Sequence, residues 1–292
     1  MTLRACLRAI SRQEDLNFLL TNRVPRLALT RFMGWFSRLR HPWVRDISLA
    51  VWRTFTDLDL SEARKTRFDS LHDCFIRELK PGARPICSDP NWVVSPSDGI
   101  VGACGHVRDG LLYQAKGFPY RLQDLLGADV DHRAWQDGVF VTLRLTSAMY
   151  HRFHAPIGAT LRHIHYFSGD TWNVNPIALK RIEKLFCKNE RACLVLELSE
   201  GGPQLAVVPV AAILVASLRL HALDATLDAQ YQGPCAIDCH VRYEKGQEMG
   251  YFQHGSTILL FAPAGFSLGG EIVPGAQIRM GQALLRVPSS LD

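Results

Sequence analysis

From about residue 85 onward, glycine and proline interrupt the chain repeatedly and leave only short runs rich in Val, Ile, Leu and Phe. Runs of that length, bounded by turn-forming residues, suit β-strands and not helices. Trp92–Val94, Val139–Leu145, Thr160–Tyr166, Cys193–Leu198, Leu205–Leu220, Ala236–Tyr243, Thr257–Phe261 and Ile278–Val287 all read as strands or strand pairs. Asn175–Phe186 reads as one short helix starting at Pro176. The preceding segment is helical in pattern. Helices first and strands after predict an α+β fold: N-terminal amphipathic helices followed by a mainly antiparallel, β-rich body. The expected division is 1–80 and 81–292, at the Leu-Lys-Pro-Gly-Ala-Arg-Pro stretch.

The helical part carries the charge. Residues 1–50 hold nine arginines (4, 8, 12, 23, 26, 31, 38, 40 and 45) against Glu14, Asp15 and Asp46, a net +6, while the whole chain is only +5. Leu29, Phe32, Met33, Phe36 and Leu39 follow the helical period, with Arg31 and Arg38 on the opposite face and Pro25 suited to a helix start. A second helix is expected after Pro42, with Val44, Ile47, Val51 and Phe55 on one side and Trp43 and Trp52 nearby. Two readings fit: a helical hairpin packed on the protein's own core, or a surface lying in a membrane interface.

Composition narrows the classes. With 47% hydrophobic residues among 292, the chain can bury a sizeable core. The mild overall charge excludes a dedicated nucleic-acid binder. No run of 18 apolar residues is present to span a bilayer. The eight cysteines are scattered and read as buried reduced thiols. The first 13 residues contain arginine and no acid, a composition compatible with a transit peptide.

Several residues could carry chemistry. His151 and His154 form a His-x-x-His pair, and Cys235, Cys239 and His240 lie together, but the spacing matches no common zinc pattern and no metal is expected. His163 and His165 share one face of a strand and read as surface or core histidines. Asp98, in Ser-Pro-Ser-Asp-Gly, is either a turn residue or a carboxylate on a rigid strand end, able to orient a histidine. Gly255-Ser256-Thr257 reads as a hairpin loop before an apolar strand, and no Gly-x-Ser-x-Gly elbow occurs.

Taken in order, these segments resemble the pyruvoyl-dependent phosphatidylserine decarboxylases. The matching blocks are Arg-Pro-Ile and Asp-Pro-Asn (84–86, 89–91), Ser-Pro-Ser-Asp-Gly (95–99), Gln-Ala-Lys-Gly (114–117) and Tyr-His-Arg-Phe-His-Ala-Pro (150–156). They continue with Val-Asn-Pro-Ile-Ala-Leu (174–179), Leu-Phe-Cys-Lys-Asn-Glu-Arg (185–191), Lys-Gly-Gln-Glu-Met-Gly-Tyr-Phe (245–252) and Gly-Ser-Thr (255–257). One departure is His254, where the family commonly has Leu or Gly.

The resemblance implies a proenzyme that cuts itself between Gly255 and Ser256. His154 would be the general base, Asp98 its orienting carboxylate and Ser256 the nucleophile, attacking the carbonyl of Gly255. The resulting ester would eliminate, leaving Ser256 as a covalent pyruvoyl group and two chains, 1–255 and 256–292, held together as a heterodimer that can pair further. The substrate amine would then form a Schiff base with the pyruvoyl ketone, and phosphatidylserine would lose CO2 to give phosphatidylethanolamine. His151 would assist this second stage. An anionic phospholipid membrane is the implied partner, with the enzyme peripheral on the cytoplasmic side of the cell membrane, and the +6 segment suits that partner.

Overall fold

The computed structural model describes residues 13–289, apart from 114–117, 214–216, 224, 229–230 and 254–255. The arginines at 4, 8 and 12, the Gln-Ala-Lys-Gly block, His254 and Gly255 therefore lie outside the described residues, as does the side chain of Ser256.

Three helices open the chain: α1 (Glu14–Asn22), α2 (Arg26–Phe36) and α3 (Pro42–Phe55), followed by a short α4 (Leu71–Phe75). Gln13 caps α1 by accepting from the amide of Leu16, Pro25 precedes α2, and Pro42 takes the first position of α3, where its missing N–H costs nothing. The apolar stripe expected on α3 does not face the core. Leu49 and Trp52 pack inward with Phe68 and Cys74, while Ile47, Val51 and Phe55 are exposed. Salt bridges tie the first two helices to the body: Arg181 to Asp15 at 2.7 Å, Lys180 to Glu14 at 3.1 Å and Arg26 to Asp170 at 2.6 Å.

The remainder is a β body. Its first part holds β1 (Trp92–Val94), β2 (Gly99–His106), β3 (Leu111–Tyr113), β4 (Pro119–Arg121), helix α5 (Leu122–Leu126), β5 (Val139–Leu145), β6 (Arg152–His154) and β7 (Ala159–Phe167). Helices α6 (Pro176–Arg181) and α7 (Leu185–Lys188) precede β8 (Arg191–Glu197), β9 (Gln204–Ala211), β10 (Ser217–Leu220), β11 (Thr226–Asp228) and β12 (Ala236–Tyr243). The chain finishes with β13 (Glu248–Phe252), β14 (Ser256–Ala262), β15 (Ser267–Leu268), β16 (Gln277–Ile278) and β17 (Ala283–Arg286). Asn175 caps the first turn of α6 as its position before Pro176 suggests, but the single helix expected over 175–186 is two. Ile182 turns extended and Lys184 takes a left-handed φ of 52°, which breaks the run.

All named strand pairings are antiparallel. An eight-stranded sheet has the order β12-β7-β8-β9-β14-β5-β2-β16, and a four-stranded sheet has the order β11-β10-β13-β6. Alternation along β14 feeds two cores. Ile258 and Leu260 pack with Leu143, Phe153 and Phe252, and Leu259 and Phe261 pack with Phe140, Trp135 and Val208. Buried on both faces and paired on both edges, β14 is held more firmly than any edge strand.

Candidate active site

Four segments converge where the chain leaves one sheet for the other. The first is the loop Ser95–Gly99 between β1 and β2. Ser95 Oγ donates to the carbonyl of Ser97 at 2.7 Å, which closes the turn, and the carbonyl of Pro96 accepts from the His154 amide at 2.8 Å. The loop is thereby bolted to β6. The second segment, Tyr150–His154, is held from behind by Arg77, which donates to the carbonyls of Ala148 and Met149 at 2.7 and 3.2 Å.

The third segment is the turn between β12 and β13. Gly246 has φ 80°, in the left-handed region that glycine tolerates without strain, and its carbonyl lies 2.9 Å from His154 Nδ1. A carbonyl only accepts, so Nδ1 carries the proton of the neutral ring and Nε2 carries the lone pair. That lone pair faces the Tyr150 hydroxyl at 3.0 Å. Burial lowers the pKa of His154 below its ordinary 6.5, against the opposing pull of the Gly246 hydrogen bond. Burial raises that of Tyr150, so the phenol stays a donor. A neutral imidazole with a defined tautomer is a general base in waiting.

Asp98 is placed differently from a histidine-orienting carboxylate. It is buried, and both oxygens accept from Arg84, Nε to Oδ1 at 2.8 Å and Nη2 to Oδ2 at 2.5 Å, with the Met280 amide adding a bond of 2.9 Å. Among the described residues it makes no hydrogen bond to His154. Its charge still acts on the ring, favouring the imidazolium. Burial opposes the charge on Arg84, but the hydrogen bonds to Asp98 and Glu62 outweigh it and raise the guanidinium pKa.

The fourth segment is the crossover from β13 to β14. The Phe252 amide bonds the His151 carbonyl at 3.0 Å, and four residues later Ser256 begins β14, in register with Leu145 on one side and Ala211 on the other. Four residues span at most about 14 Å, so the backbones of His151 and Ser256 cannot lie far apart. The His151 ring is buried, its Nδ1 is 2.8 Å from the Met149 carbonyl, and its face lies 4.0 Å from the Phe75 ring, centroid to centroid. The remaining histidine candidates lie elsewhere. His163 pairs with Asp238 at 2.8 Å across β7 and β12, and His240, on β12, meets Arg162 of β7 at 2.7 Å. Among the described residues no three His, Cys, Asp or Glu side chains gather as metal ligands.

Two cavities lie near Leu145, the ladder partner of Ser256. One, of about 800 Å³, is apolar, with Met33, Phe36, Val51, Trp52, Phe75 and Leu145 in its wall. The other, of about 590 Å³, is polar and includes Glu62, Arg77, Arg84, Asp98 and Tyr150. They meet at Thr56, Thr146 and Ser147. Sequence reasoning assigned no role to Tyr150, Gly246 or Arg84, although all three lie within or beside the motif blocks. The spacing of four between Tyr150 and His154 is the one local hint; nothing local pairs Arg84 with Asp98, 14 residues on.

The family model for phosphatidylserine decarboxylase matches residues 71–286. The chain is 34% identical to the phosphatidylserine decarboxylase proenzyme of Haemophilus influenzae over 274 residues, covering 89% of this chain and 92% of that one. It is 32% identical to the proenzyme of Saccharophagus degradans, covering 93% and 97% of the two chains, and 33% identical to that of Pseudomonas aeruginosa, covering 89% and 93%.

Proposed function

Because the chain belongs to the phosphatidylserine decarboxylase family, we propose that this decarboxylase converts phosphatidylserine to phosphatidylethanolamine and CO2 after cutting itself between Gly255 and Ser256. The observation that carries the self-cleavage is the site of that peptide. Ser256 opens a strand paired on both edges, four residues after the other sheet ends at Phe252, with a neutral buried histidine on β6, the neighbour of β13.

His154 Nε2 takes the Oγ proton of Ser256, and the Gly246 carbonyl steadies the Nδ1–H while the ring is charged. Oγ attacks the Gly255 carbonyl, and the peptide C–N bond gives way to an ester. Elimination then breaks the Cβ–O bond, releasing the Gly255 carboxylate and leaving dehydroalanine, which takes up water and loses ammonia to become the pyruvoyl group. Asp98 contributes from a distance: its charge favours the imidazolium, and its pair with Arg84 fixes the end of the Ser95–Gly99 loop, whose Pro96 carbonyl bonds the His154 amide.

The position fits such a group. Residue 256 gives up its own N–H with the ammonia, but Thr257–Phe261 keep both backbone ladders, so the new chain end stays fixed and 256–292 stays with 1–255. The pyruvoyl ketone supplies an electron sink for loss of CO2. His151, buried beside Phe75 and tied to the crossover through Phe252, is the residue to steer the substrate carboxylate or return a proton.

A lipid substrate accounts for the N-terminus. Phe32, Trp35, Trp43, Ile47, Val51 and Phe55 are exposed on α2 and α3. The last three also line the apolar cavity, so the exposed face and the cavity are continuous. No described helix is long and apolar enough to cross a membrane. An apolar face flanked by arginines suits the interface of an anionic bilayer, which on this reading is the cytoplasmic surface of the cell membrane.

Intact mass of the denatured, purified protein tests the proposal. Two polypeptides are expected, 1–255 and a 256–292 fragment blocked to Edman chemistry. An active preparation consisting of one unbroken 32.7 kDa chain overturns it.

A further inference from the structure

Arg144 stands out in the apolar cavity. It is the one charged residue in the cavity wall among the described residues. It is half-buried on β5, and burial lowers its pKa with no carboxylate acting in its favour. Elsewhere around the site the arginines are spent: Arg77 on the Ala148 and Met149 carbonyls, Arg84 on Asp98 and Glu62, and Arg152 on Glu248 and the Ile76 carbonyl. The Arg144 side chain forms no hydrogen bond or ion pair with any described residue. Its place in the sheet is specific. It is the cross-strand partner of Thr257, one step along the ladder from the Ser256–Leu145 pair. The buried Thr257 hydroxyl, on the same face, also has no hydrogen-bond partner among the described residues.

We propose that Arg144 is the specificity residue that holds the phosphodiester of the lipid substrate beside residue 256. This rests on the decarboxylase reading above and adds the group by which the headgroup is held. A guanidinium matches a phosphate with two parallel hydrogen bonds, and its attraction is stronger in a largely apolar cavity than in water. Arg144 and Leu145, the ladder partner of Ser256, both line the cavity, although alternation turns their side chains to opposite faces of β5. The reacting carbon of residue 256 is a main-chain atom, so the amine can sit there while the phosphate meets the guanidinium at the cavity wall. The acyl chains would then lie along Met33, Phe36 and Val51 toward the exposed helix face.

The substrate has a second anion, its carboxylate, and the chemistry separates the two. Pairing the carboxylate with a cation stabilises the ground state and opposes loss of neutral CO2. The phosphate is unchanged by the reaction, so an anchor on it serves substrate and transition state alike.

The test uses the processed enzyme, dihexanoylphosphatidylserine as substrate and dihexanoylphosphatidylethanolamine as product inhibitor. Wild-type turnover comes first; if it is absent, the decarboxylase reading fails before Arg144 is touched. In Arg144→Gln, chain cleavage should be complete, with KM and the product inhibition constant rising together by at least about tenfold and kcat changing little. A raised KM with an unchanged product constant overturns the proposal, because the lost partner is then the carboxylate. Unchanged KM and product constant also overturn it. If the Gln variant is not cut, Arg144→Lys decides: it keeps the charge and loses the paired geometry, so a KM between wild type and about tenfold is expected, and a wild-type KM overturns the assignment.

Discussion

The Nδ1 of His154 lies 2.9 Å from the carbonyl oxygen of Gly246, and this contact, not a carboxylate, sets the tautomer of the ring. The proton stays on the nitrogen facing the turn, and the basic nitrogen faces Tyr150. Burial lowers the pKa, so the ring is neutral through the physiological range and gains its proton only below the ordinary 6.5. The rate of chain cleavage should therefore be flat above neutral pH and fall as pH drops through that lowered value. His154→Ala should remain a single uncut chain. Cleavage of that variant at the wild-type rate, followed by gel electrophoresis during expression and refolding, would remove His154 from the mechanism.

Tyr150→Phe isolates the other side of the ring. A donor to Nε2 stabilises neutral imidazole, so deleting the hydroxyl should raise the His154 pKa and move the acidic limb of the cleavage profile to higher pH. The phenyl ring keeps the packing, so thermal stability should change little by comparison. An unshifted limb would show that the hydroxyl does not govern the ring's basicity.

Asp98 and Arg84 should behave as one unit. Asp98 is buried, Arg84 is half-buried, and two hydrogen bonds join them. Arg84→Met should therefore cost about 3 kcal/mol in urea unfolding, because the carboxylate keeps only the Met280 amide, and Asp98→Asn should cost less, because Arg84 keeps Glu62. Since the Asp98 oxygens are spent on Arg84 and Met280, both variants should slow cleavage to a similar degree. Slow cleavage in Asp98→Asn beside normal cleavage in Arg84→Met would instead mean that the carboxylate bonds His154 directly at some point in the reaction.

Stability should fall in mild acid. His72 is held down to about 4, first by burial and then by the charge of Arg38, and His154 is lowered in the same direction. A histidine depressed in the folded state binds its proton more readily when unfolded. Stability is therefore intact above 6.5 and declines as pH falls from there toward about 4. The urea midpoint should drop between pH 7 and pH 5, and His72→Gln should show a shallower drop. Equal slopes for the two proteins would rule out His72 as a contributor.

The exposed helix face makes a separate prediction. Changing Trp35, Trp43, Ile47 and Phe55 to Ser removes apolar surface that packs against little of the protein. The variant should fold and cut itself normally yet lose sedimentation with phosphatidylserine-containing vesicles. Wild-type binding should weaken with salt, since each arginine near an anionic surface contributes only about 1 kcal/mol and is screened. Undiminished binding by the variant would place the membrane surface elsewhere.

The sequence by itself determined where most strands run, that helices precede them, where α3 starts, and which motif blocks carry the histidines, the aspartate and the Gly-Ser-Thr. These are local properties: periodicity, proline geometry and turn chemistry act over a few residues. Only the tertiary structure decided that Asp98 meets Arg84, that Gly246 and Tyr150 hold the two nitrogens of His154, and that Phe252 and Ser256 belong to strands of different sheets. The same holds for α3, whose pattern named an apolar stripe of Ile47, Val51 and Phe55 but not that it would face outward. The two helices expected as one over 175–186 differ because Ile182 turns extended and Lys184 left-handed. In each case the reason is physical. Hydrophobic spacing says which side chains share a face, whereas what that face meets, and which distant donor reaches which acceptor, depends on strand register and packing between segments far apart in the chain.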